Sequence, residues 1–259
     1  MGDRVLLEKS NGIASVYLNE PNSLNALSMP LKEELLSILR SIEKDPDVGV
    51  VILAGKGKSF CAGGDVKAMV EMTNPLEIKR MMDESAKMVE TIRRMPKIVI
   101  AAVQGYAAGA GFSLALAADM IVAEEGARFV LSFKNVGLIP DLGMHYSLPK
   151  MLGEWKAKEW IWKGAKITAE EAYQYGIVKE VVPDGKGYEK ACEAAQELVK
   201  GPIQAYIYSK SLINSASSLK IEDVFRLEND AQTILRGSSD HKEGVSAFLE
   251  KRAPKFTGR

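Results

Sequence analysis

The chain has 259 residues, of which 46% are hydrophobic and 26% are charged, a composition typical of a globular protein with a packed core. Lysine plus arginine equals aspartate plus glutamate, 34 each, so the chain lacks the positive excess that holds nucleic acid or an anionic membrane surface. Its two cysteines, Cys61 and Cys192, form no CxxC or Cys/His group, which argues against a disulfide framework and a structural zinc site. The first twelve residues contain no sustained apolar segment, so we expect neither a secretory signal nor an anchor, and a reducing, cytoplasmic location.

The opening of the chain predicts a hairpin and a helix. Val5–Glu8 and Ile13–Leu18 flank the Asn11-Gly12 dipeptide, which tolerates the positive φ angles of a tight turn. Ser28 can cap a helix that extends to the breaking sequence DPD at residues 45–47. We therefore expect a β-hairpin followed by one amphipathic helix.

The middle of the chain alternates between strand and helix patterns. Strand patterns lie at Val48–Leu53, Ile98–Val103, Met120–Ala123, Arg128–Leu131 and Ile177–Val182. Helical patterns run from about Pro75 to Arg94, from near Ala110, and from the capping box Thr168–Glu171. Alternation of this kind predicts an α/β fold with a parallel sheet and crossover helices.

Residues Ile98–Ala118 carry no charge over a length that could cross a bilayer. Gln104, Tyr106, Ser113 and three glycines interrupt this stretch, and much of the remainder is alanine, which contributes little hydrophobicity. We therefore expect buried elements of a globular core here, and no membrane span.

Beyond Gly187 the pattern is helical to the end of the sequence. Breaks are expected at Gly201-Pro202 and Gly237-Ser238, and a helix cap within Asp240–Glu243. An all-helical tail of about sixty residues has to bury its apolar faces on the α/β core or against another subunit. This predicts an α/β core at residues 1–198 and a helical region at residues 199–259 that packs on the core or against another subunit.

Two glycine-rich segments carry the strongest functional signal. The first bend, Ser59–Asp65, reads SFCAGGD, and the second bend, Gly105–Gly111, reads GYAAGAG; each follows an apolar stretch and leads into a helix. The second differs in spacing from the G-x-G-x-x-G dinucleotide loop. Either bend alone is also explained by tight packing of a helix on a strand. Together they predict paired backbone N–H donors, as in an oxyanion hole.

Four blocks of this sequence resemble the enoyl-CoA hydratase/isomerase (crotonase) superfamily. They read SFCAGGDVKAM, AAVQGYAAGAG followed by ADM, FKNVGLIPDLG, and EGVSAFLEKRAPKF, and they occur in the family's order over essentially the whole chain. The resemblance implies a crotonase-like spiral of ββα units, a C-terminal helical region used in trimer formation, and acyl-CoA thioester substrates.

The resemblance also implies roles for individual residues. The oxyanion-hole donors would be the backbone N–H groups of Gly64 and Ala110. Phe248 and Lys251 would lie near the adenine and phosphate ends of CoA, from a neighbouring subunit, although a terminal lysine is also typical of a solvated helix face. Small residues and the start of the next helix would line the thioester and the CoA chain: Ala62, Gly63, Asp65, Val66, Lys67 and Gly109.

Departures from the family pattern bear on the activity. Family hydratases use two glutamates, and the corresponding positions here are Ser113 and Phe133, which cannot activate water as a base. Asp141 falls where some family isomerases have a single acid and where the dehalogenases have a nucleophile. Local sequence alone favours a turn residue or a helix N-cap at Asp141. In an apolar pocket that Phe133 and Phe112 help to keep dry, desolvation would instead raise its pKa, as suits a base that returns its proton.

The dehalogenase alternative does not fit the residues that it requires. Its water-activating histidine would correspond to Glu84, and the tryptophan beside its nucleophile is replaced by Phe133. His145 lies one helical turn beyond Asp141 and could orient it, but a surface or structural role is the simpler expectation, and His241 lies elsewhere.

The sequence therefore predicts an enoyl-CoA isomerase that moves a double bond from the 3 to the 2 position without a metal or redox cofactor. An isomerase of ring-derived (epoxide or oxepin) CoA thioesters and a non-catalytic acyl-CoA-binding homologue remain as alternatives, and a residual hydratase is disfavoured. We expect an acyl-CoA substrate, a homotrimer or dimer of trimers, and neither nucleic acid nor a membrane as partner.

Overall fold

A computed structural model describes residues 3–258 of the chain. Its strands are β1 (Val5–Ser10), β2 (Ile13–Leu18), β3 (Val50–Gly55), β4 (Ile98–Val103), β5 (Tyr106–Ala108), β6 (Met120–Glu124), β7 (Arg128–Val130), β8 (Lys166–Thr168) and β9 (Glu180–Val182). Its α-helices are α1 (Met29–Glu43), α2 (Val66–Glu71), α3 (Pro75–Arg94), α4 (Ala110–Ala117), α5 (Met144–Leu152), α6 (Glu154–Lys163), α7 (Ala169–Gln174), α8 (Gly187–Lys200), α9 (Ile203–Ala216), α10 (Ile221–Arg236) and α11 (Ser239–Leu249).

The larger sheet has the strand order β1-β2-β3-β4-β6-β9. Only the hairpin β1–β2 is antiparallel, and the other neighbours pair in parallel. The hairpin turn is confirmed at Asn11 and Gly12, whose φ angles are 51° and 79°. Strands β3 and β4 are buried along their whole length, as expected for central parallel strands covered on both faces.

The helices that connect these strands confirm the sequence prediction. Ser28 caps α1 by accepting a hydrogen bond from Leu31 N, and α3 spans the predicted residues. Helices α1 and α3 pack against each other, so that the first turn of α1 lies beside the middle of α3. This packing places side chains of both helices next to the candidate site.

A smaller sheet of β5, β7 and β8 differs from the sequence prediction, which contains only β7. β5 pairs in parallel with β7, and β8 pairs antiparallel with it. β5 and β8 have three residues each, too few for a recognisable alternation. The predicted strand Ile177–Val182 is only half correct, since β9 begins at Glu180 and the N–H groups of Ile177 and Val178 bond the Ala172 carbonyl instead.

The uncharged stretch Ile98–Ala118 divides into β4, β5 and α4, and α4 is buried at all eight of its residues. In the part of the chain that the structure describes, we find no helix with both the length and the apolar character needed to cross a membrane.

The C-terminal region is helical, with breaks between α8 and α9 and between α10 and α11 where they were predicted. The predicted cap within Asp240–Glu243 is wrong: Ser238 Oγ accepts from His241 N at 3.1 Å. Asp240 is buried inside α11, and its carboxylate accepts hydrogen bonds from Thr257 N at 2.7 Å and Gly258 N at 2.9 Å. The buried carboxylate of Asp240 therefore binds the backbone of residues 257–258 and does not cap the helix.

A buried lysine joins this region to the core. Lys210 of α9 donates to Asp119 Oδ2 at 2.7 Å, to the Lys97 carbonyl at 2.7 Å and to the Ile92 carbonyl at 3.1 Å. Its ammonium therefore has an acceptor for each of its three N–H groups, which is how a buried charge is tolerated.

Candidate active site

The two glycine-rich bends lie side by side and are joined by backbone hydrogen bonds. Phe60 N donates to the Gln104 carbonyl at 2.8 Å, and Cys61 N donates to the Tyr106 carbonyl at 2.9 Å. Ala108 N donates back to the Cys61 carbonyl at 2.9 Å. The first bend therefore continues as a short parallel bridge beside β5, and the residues after each bend come close together.

Gly63 lies at the closest approach of the two bends. Its φ is +101°, and a Cβ placed there would lie 2.6 Å from the Ala108 carbonyl oxygen and 3.5 Å from Ala110 N. Both the dihedral angle and the lack of space require glycine at this position. The missing side chain is what allows the backbone of Gly64 to lie near the N-terminus of α4.

Two backbone donors at this point are free. Ala110 is the first residue of α4, so its N–H has no acceptor within the helix, and Gly109 before it provides no side-chain cap. Within residues 3–258, neither Ala110 N nor Gly64 N donates a hydrogen bond to another residue. A pair of fixed, unused N–H groups from two adjacent bends is the arrangement that an oxyanion hole requires.

Asn25 holds the first bend in place, and sequence reasoning missed it. Its side chain is fully buried, and Nδ2 donates to the carbonyl oxygens of Lys56 at 3.0 Å, Ser59 at 2.9 Å and Phe60 at 3.2 Å. Its φ of 58° is in the left-handed region, where asparagine is enriched. One asparagine among several turn residues carries no signal of these long-range contacts in the sequence.

Asp141 lies in a turn before α5, and part of its carboxylate is buried. Its carbonyl oxygen accepts from Met144 N at 3.1 Å, which confirms the turn, but the N-cap of α5 is Gly143, so the N-cap interpretation is wrong. Within the described residues, Asp141 Oδ1 is buried without a hydrogen-bond partner. Burial raises the pKa of this carboxyl above its ordinary value, while a hydrogen bond from its own backbone N–H and, to a smaller extent, the positive charge of Lys32 lower the pKa.

Lys32 is a second charged residue that the sequence analysis did not single out. It is half-buried in the first turn of α1, and its ammonium donates to Ser85 Oγ of α3 at 2.9 Å. Its place four residues before the buried Leu36 is the signal that could have found it, because residues i and i+4 share one face of a helix.

Comparison with known proteins identifies the family. The family model for enoyl-CoA hydratase/isomerase matches residues 8–259. The chain belongs to the enoyl-CoA hydratase/isomerase family. This membership confirms that the chain is an enzyme and that an acyl-CoA substrate is consistent with its fold.

Relatives within this family include isomerases and hydratases. The 1,2-epoxyphenylacetyl-CoA isomerase of Escherichia coli K12 is 35% identical, with 100% of both chains covered. The trans-2-decenoyl-[acyl-carrier-protein] isomerase of Streptococcus mutans is 33% identical, with 98% of each chain covered. The crystal structure of an enoyl-CoA hydratase from Bacillus anthracis superposes with a TM-score of 0.93 at 33% identity, covering 99% of this chain and 100% of that one. The predicted crotonase-like fold is confirmed by this likeness.

Ser113 and Phe133, which we predicted to replace the two hydratase glutamates, lie close to the second bend. Ser113 is in the first turn of α4 and buried, and among the described residues its Oγ has no hydrogen-bond partner. Phe133 is half-buried, and its ring is 3.8 Å from the position that a Cβ on Gly109 would occupy. Phe112 is fully buried and packs against Phe129 with ring centroids 5.1 Å apart and the ring planes tilted by 50°, so it belongs to the core. Phe133 is therefore the aromatic residue that flanks the bend.

The residues predicted to follow the CoA chain begin helix α2, the helix into which the first bend was predicted to lead. Asp65 is its N-cap, and its carboxylate accepts from Lys67 N at 3.1 Å and Ala68 N at 3.2 Å. Val66 and Lys67 are exposed, while Ala62 is half-buried in the bend itself. The side chain of Asp65 thus has a structural task, and the CoA contacts of these residues remain a prediction.

Phe248 and Lys251 lie on a separate surface. Phe248 is 81% exposed and lines a groove of about 440 Å³ in the C-terminal region, together with Pro202 and Phe256. Lys251 is exposed beyond the end of α11, with φ 56°. No residue of either bend lines this groove, so the structure does not bring these two residues together with Gly64 and Ala110.

The residues of the dehalogenase alternative face solvent. Glu84 is exposed and forms an ion pair with Lys87 at 2.6 Å, and His145 is exposed, which confirms the simpler expectation for it. Among residues 3–258 no group of three or more His, Cys, Asp and Glu side chains could hold a metal ion.

Proposed function

We propose that this enzyme is an enoyl-CoA isomerase that moves a carbon–carbon double bond from the 3 to the 2 position. The observation that carries the proposal is the carboxylate of Asp141, partly buried and with one oxygen unpartnered, in a family site where both hydratase glutamates are absent. A desolvated acid with a raised pKa suits a group that first accepts and later returns a proton.

The reaction needs one acid and two backbone donors. Asp141 removes a proton from carbon 2, the electrons of that C–H bond form a double bond between carbons 1 and 2, and the carbonyl π electrons move to the thioester oxygen, which gives a dienolate that still has its 3,4 double bond. The dienolate charge rests on the thioester oxygen, where Gly64 N–H and Ala110 N–H donate, each worth about 3–4 kcal/mol. Protonated Asp141 then delivers the same proton to carbon 4: the thioester carbonyl re-forms, the 1,2 electrons become the 2,3 double bond, and the 3,4 π electrons form the new C–H bond. The isomerisation consumes no water, oxidant or reductant, so we propose that no metal or redox cofactor takes part.

Hydration is the less favoured reaction of this site. Adding water to a 2-enoyl-CoA requires a base beside the water molecule and an acid for carbon 2. The hydroxyl of Ser113 is too weak a base to activate water, and Phe133 has no titratable group. We therefore expect hydratase activity to be far below isomerase activity in the same preparation.

We also propose that the enzyme assembles as a homotrimer or as a dimer of trimers. The C-terminal helices expose large apolar side chains that a stable subunit interface would bury: Ile213, Ile221, Phe225, Ile234, Phe248 and Leu249. Across such an interface Phe248 and Lys251 would contact the CoA of the neighbouring subunit. We place the enzyme in the cytoplasm, with acyl-CoA as its partner and neither nucleic acid nor a membrane.

A second candidate is an isomerase of ring-derived CoA thioesters. It is favoured by the 35% identity to the 1,2-epoxyphenylacetyl-CoA isomerase over the whole chain. The same carboxylate and the same two N–H donors would serve it, because both reactions place charge on the thioester oxygen.

The deciding experiment incubates the purified enzyme with a 3-enoyl-CoA in deuterated water. Conjugated 2-enoyl-CoA and deuterium uptake are followed together, beside the Asp141→Asn variant. We expect turnover by the wild type and a loss of at least about 10²-fold in the variant, with acyl-CoA binding retained. Turnover retained in the variant would refute the assignment of Asp141. Binding by the wild type without conjugation or exchange would refute the aliphatic isomerase and favour another CoA substrate.

A further inference from the structure

The peptide group that carries the Gly64 donor is itself held by a hydrogen bond from behind. Leu27 N donates to the Gly63 carbonyl oxygen at 2.7 Å. That carbonyl belongs to the same peptide group as Gly64 N–H, and the C=O and N–H of a trans peptide point in opposite directions. Because the carbonyl is directed at Leu27, the Gly64 N–H is directed away from Leu27, where no other described residue accepts from it.

This peptide group needs such a partner because it lies between two glycines. A peptide rotates by changing ψ of the residue before it and φ of the residue after it, and glycine permits both changes at little steric cost. A half-turn of the Gly63–Gly64 peptide would place the Gly63 carbonyl oxygen where Gly64 N–H now points. That oxygen carries a partial negative charge and would repel the dienolate instead of stabilising it. The hydrogen bond from Leu27 is lost in the rotated form, so it favours the orientation that the reaction requires.

The segment that carries the Leu27 N–H is well fixed. The side chain of Leu27 is 3% exposed and belongs to the hydrophobic core, and helix α1, capped by Ser28, begins directly after it. Leu27 and Gly64 pair as an isolated parallel bridge. A second backbone bond joins the same two segments, from Ala62 N to the Leu24 carbonyl at 2.9 Å. The donor peptide is therefore fastened to the core and to the start of a helix.

The second oxyanion donor has the equivalent support within its own helix. The Gly109 carbonyl shares a peptide group with Ala110 N–H, and it accepts from Phe112 N at 3.0 Å and from Ser113 N at 3.1 Å. Helix α4 thus holds the peptide of its own donor. In the described part of the chain, the backbone donor to the Gly63 carbonyl is Leu27, which lies 36 residues earlier in sequence.

We propose that Leu27 is a positioning residue whose backbone N–H orients and polarises the Gly63–Gly64 peptide, so that Gly64 N–H donates to the thioester oxygen. Polarisation adds to orientation, because hydrogen bonds in a chain strengthen one another by about 10–30% per bond. This role rests on the proposed function of Gly64 N–H as an oxyanion donor.

The test removes this single N–H by replacing Leu27 with its α-hydroxy acid, which converts the Ala26–Leu27 amide into an ester and keeps the side chain. The same exchange at Ala26 is the matched control, since Ala26 N donates to the Ser23 carbonyl at 3.2 Å, within the turn and not to the bend. With a 3-enoyl-CoA we expect kcat of the Leu27 ester to fall about tenfold or more, below the 10²–10³-fold loss of a whole donor. The Ala26 ester should keep the kcat of the wild type.

A spectroscopic readout separates positioning from a general loss of stability. Butanoyl-CoA has no double bond to move, and the ¹³C signal of its labelled thioester carbonyl moves downfield when hydrogen-bond donors polarise it. We expect the same downfield shift in the wild type and the Ala26 ester, and a smaller one in the Leu27 ester. If the shifts differ in this way while no protein converts 3-enoyl-CoA, only the proposed isomerase fails. Equal shifts and equal kcat in the folded Leu27 and Ala26 esters would overturn the inference.

A further measurement uses the wild-type chain and does not depend on the folding of an ester variant. When Gly64 N–H donates to a bound thioester, the polarised peptide should draw the amide proton of Leu27 downfield. Protein labelled with ¹⁵N at leucine is titrated with butanoyl-CoA, and the Leu27 signal is assigned by its absence in Leu27→Ile. A downfield shift on binding supports the inference. A Leu27 signal that stays in place at saturation would overturn it.

Discussion

Gly63→Ala is the substitution whose consequences the structure specifies most closely. The new methyl group would lie 2.6 Å from the Ala108 carbonyl oxygen, well inside van der Waals contact, and the residue would keep a φ of +101° that alanine avoids. The left-handed dihedral alone costs about 1–2 kcal/mol. The collision adds to this, because a backbone carbonyl, unlike a flexible side chain, cannot move aside without moving the bend.

The relief of this collision separates the two bends, and with them Gly64 N–H and Ala110 N–H. Loss of one well-aligned oxyanion donor lowers kcat by about 10²–10³-fold, which corresponds to about 2.7–4 kcal/mol. We therefore expect Gly63→Ala to lose about 10²-fold or more in kcat, and to lose about 1–3 kcal/mol in the free energy of unfolding.

The matched control is Gly176→Ala. Gly176 also has a positive φ, 71°, but nothing lies within 4 Å of the position of its Cβ. The Gly176→Ala variant should lose about 1 kcal/mol in the free energy of unfolding and keep the kcat of the wild type. Both variants are measured by urea unfolding and by the rate of 3-enoyl-CoA isomerisation. If kcat of Gly63→Ala equals that of the control, the close approach of the bends is not what aligns the donors.

Three further predictions concern the supports of the site and of the tail. Asn25→Asp should lower the free energy of unfolding by about 1–3 kcal/mol, because it removes the amide donor that three carbonyl oxygens share. Urea unfolding measures this free energy, and an unchanged urea midpoint would contradict the role of Asn25. Lys210→Met should lower the free energy of unfolding by about 3 kcal/mol, since it leaves the Asp119 carboxylate without its buried partner. The double variant Lys210→Met/Asp119→Asn should lower it by less than the sum of the two single variants. Burial raises the pKa of the Cys61 thiol to about 12, so in a Cys192→Ser background we expect no labelling by a thiol reagent at pH 8 until urea unfolds the chain; rapid labelling of the native protein would show that the first bend opens.

The long elements were predictable because their signals are local. The Asn11-Gly12 turn, the Ser28 cap and the whole of α3 follow from turn chemistry and apolar periodicity within a few residues. β5 and β8 carry too few residues for either signal, and they form because β7 lies between them. Asp240 resembled a cap by type, but its carboxylate is used by a segment seventeen residues further along the chain.

The same distinction between local and long-range signals applies to the residues of the candidate site. The two bends and Asp141 could be found from sequence, since glycine spacing and family register locate them without any knowledge of packing. Asn25 could not, because its partner, the Ser59 carbonyl, is 34 residues away in sequence. Helix periodicity could place Lys32 on a buried face, but not its contact with Ser85 Oγ, which is 53 residues away. Contacts of this separation are set by the way α1 and α3 pack beside the sheet, which no local pattern encodes.

The most direct test of the account follows a single hydrogen atom. A 3-enoyl-CoA that carries deuterium at carbon 2 is converted in ordinary water, and the position of the label in the 2-enoyl-CoA product is read by NMR and mass spectrometry. If Asp141 is the one base and its carboxyl is shielded from water, part of the label should appear at carbon 4. A product with no deuterium at carbon 4 would contradict a single buried acid that both takes and returns the proton.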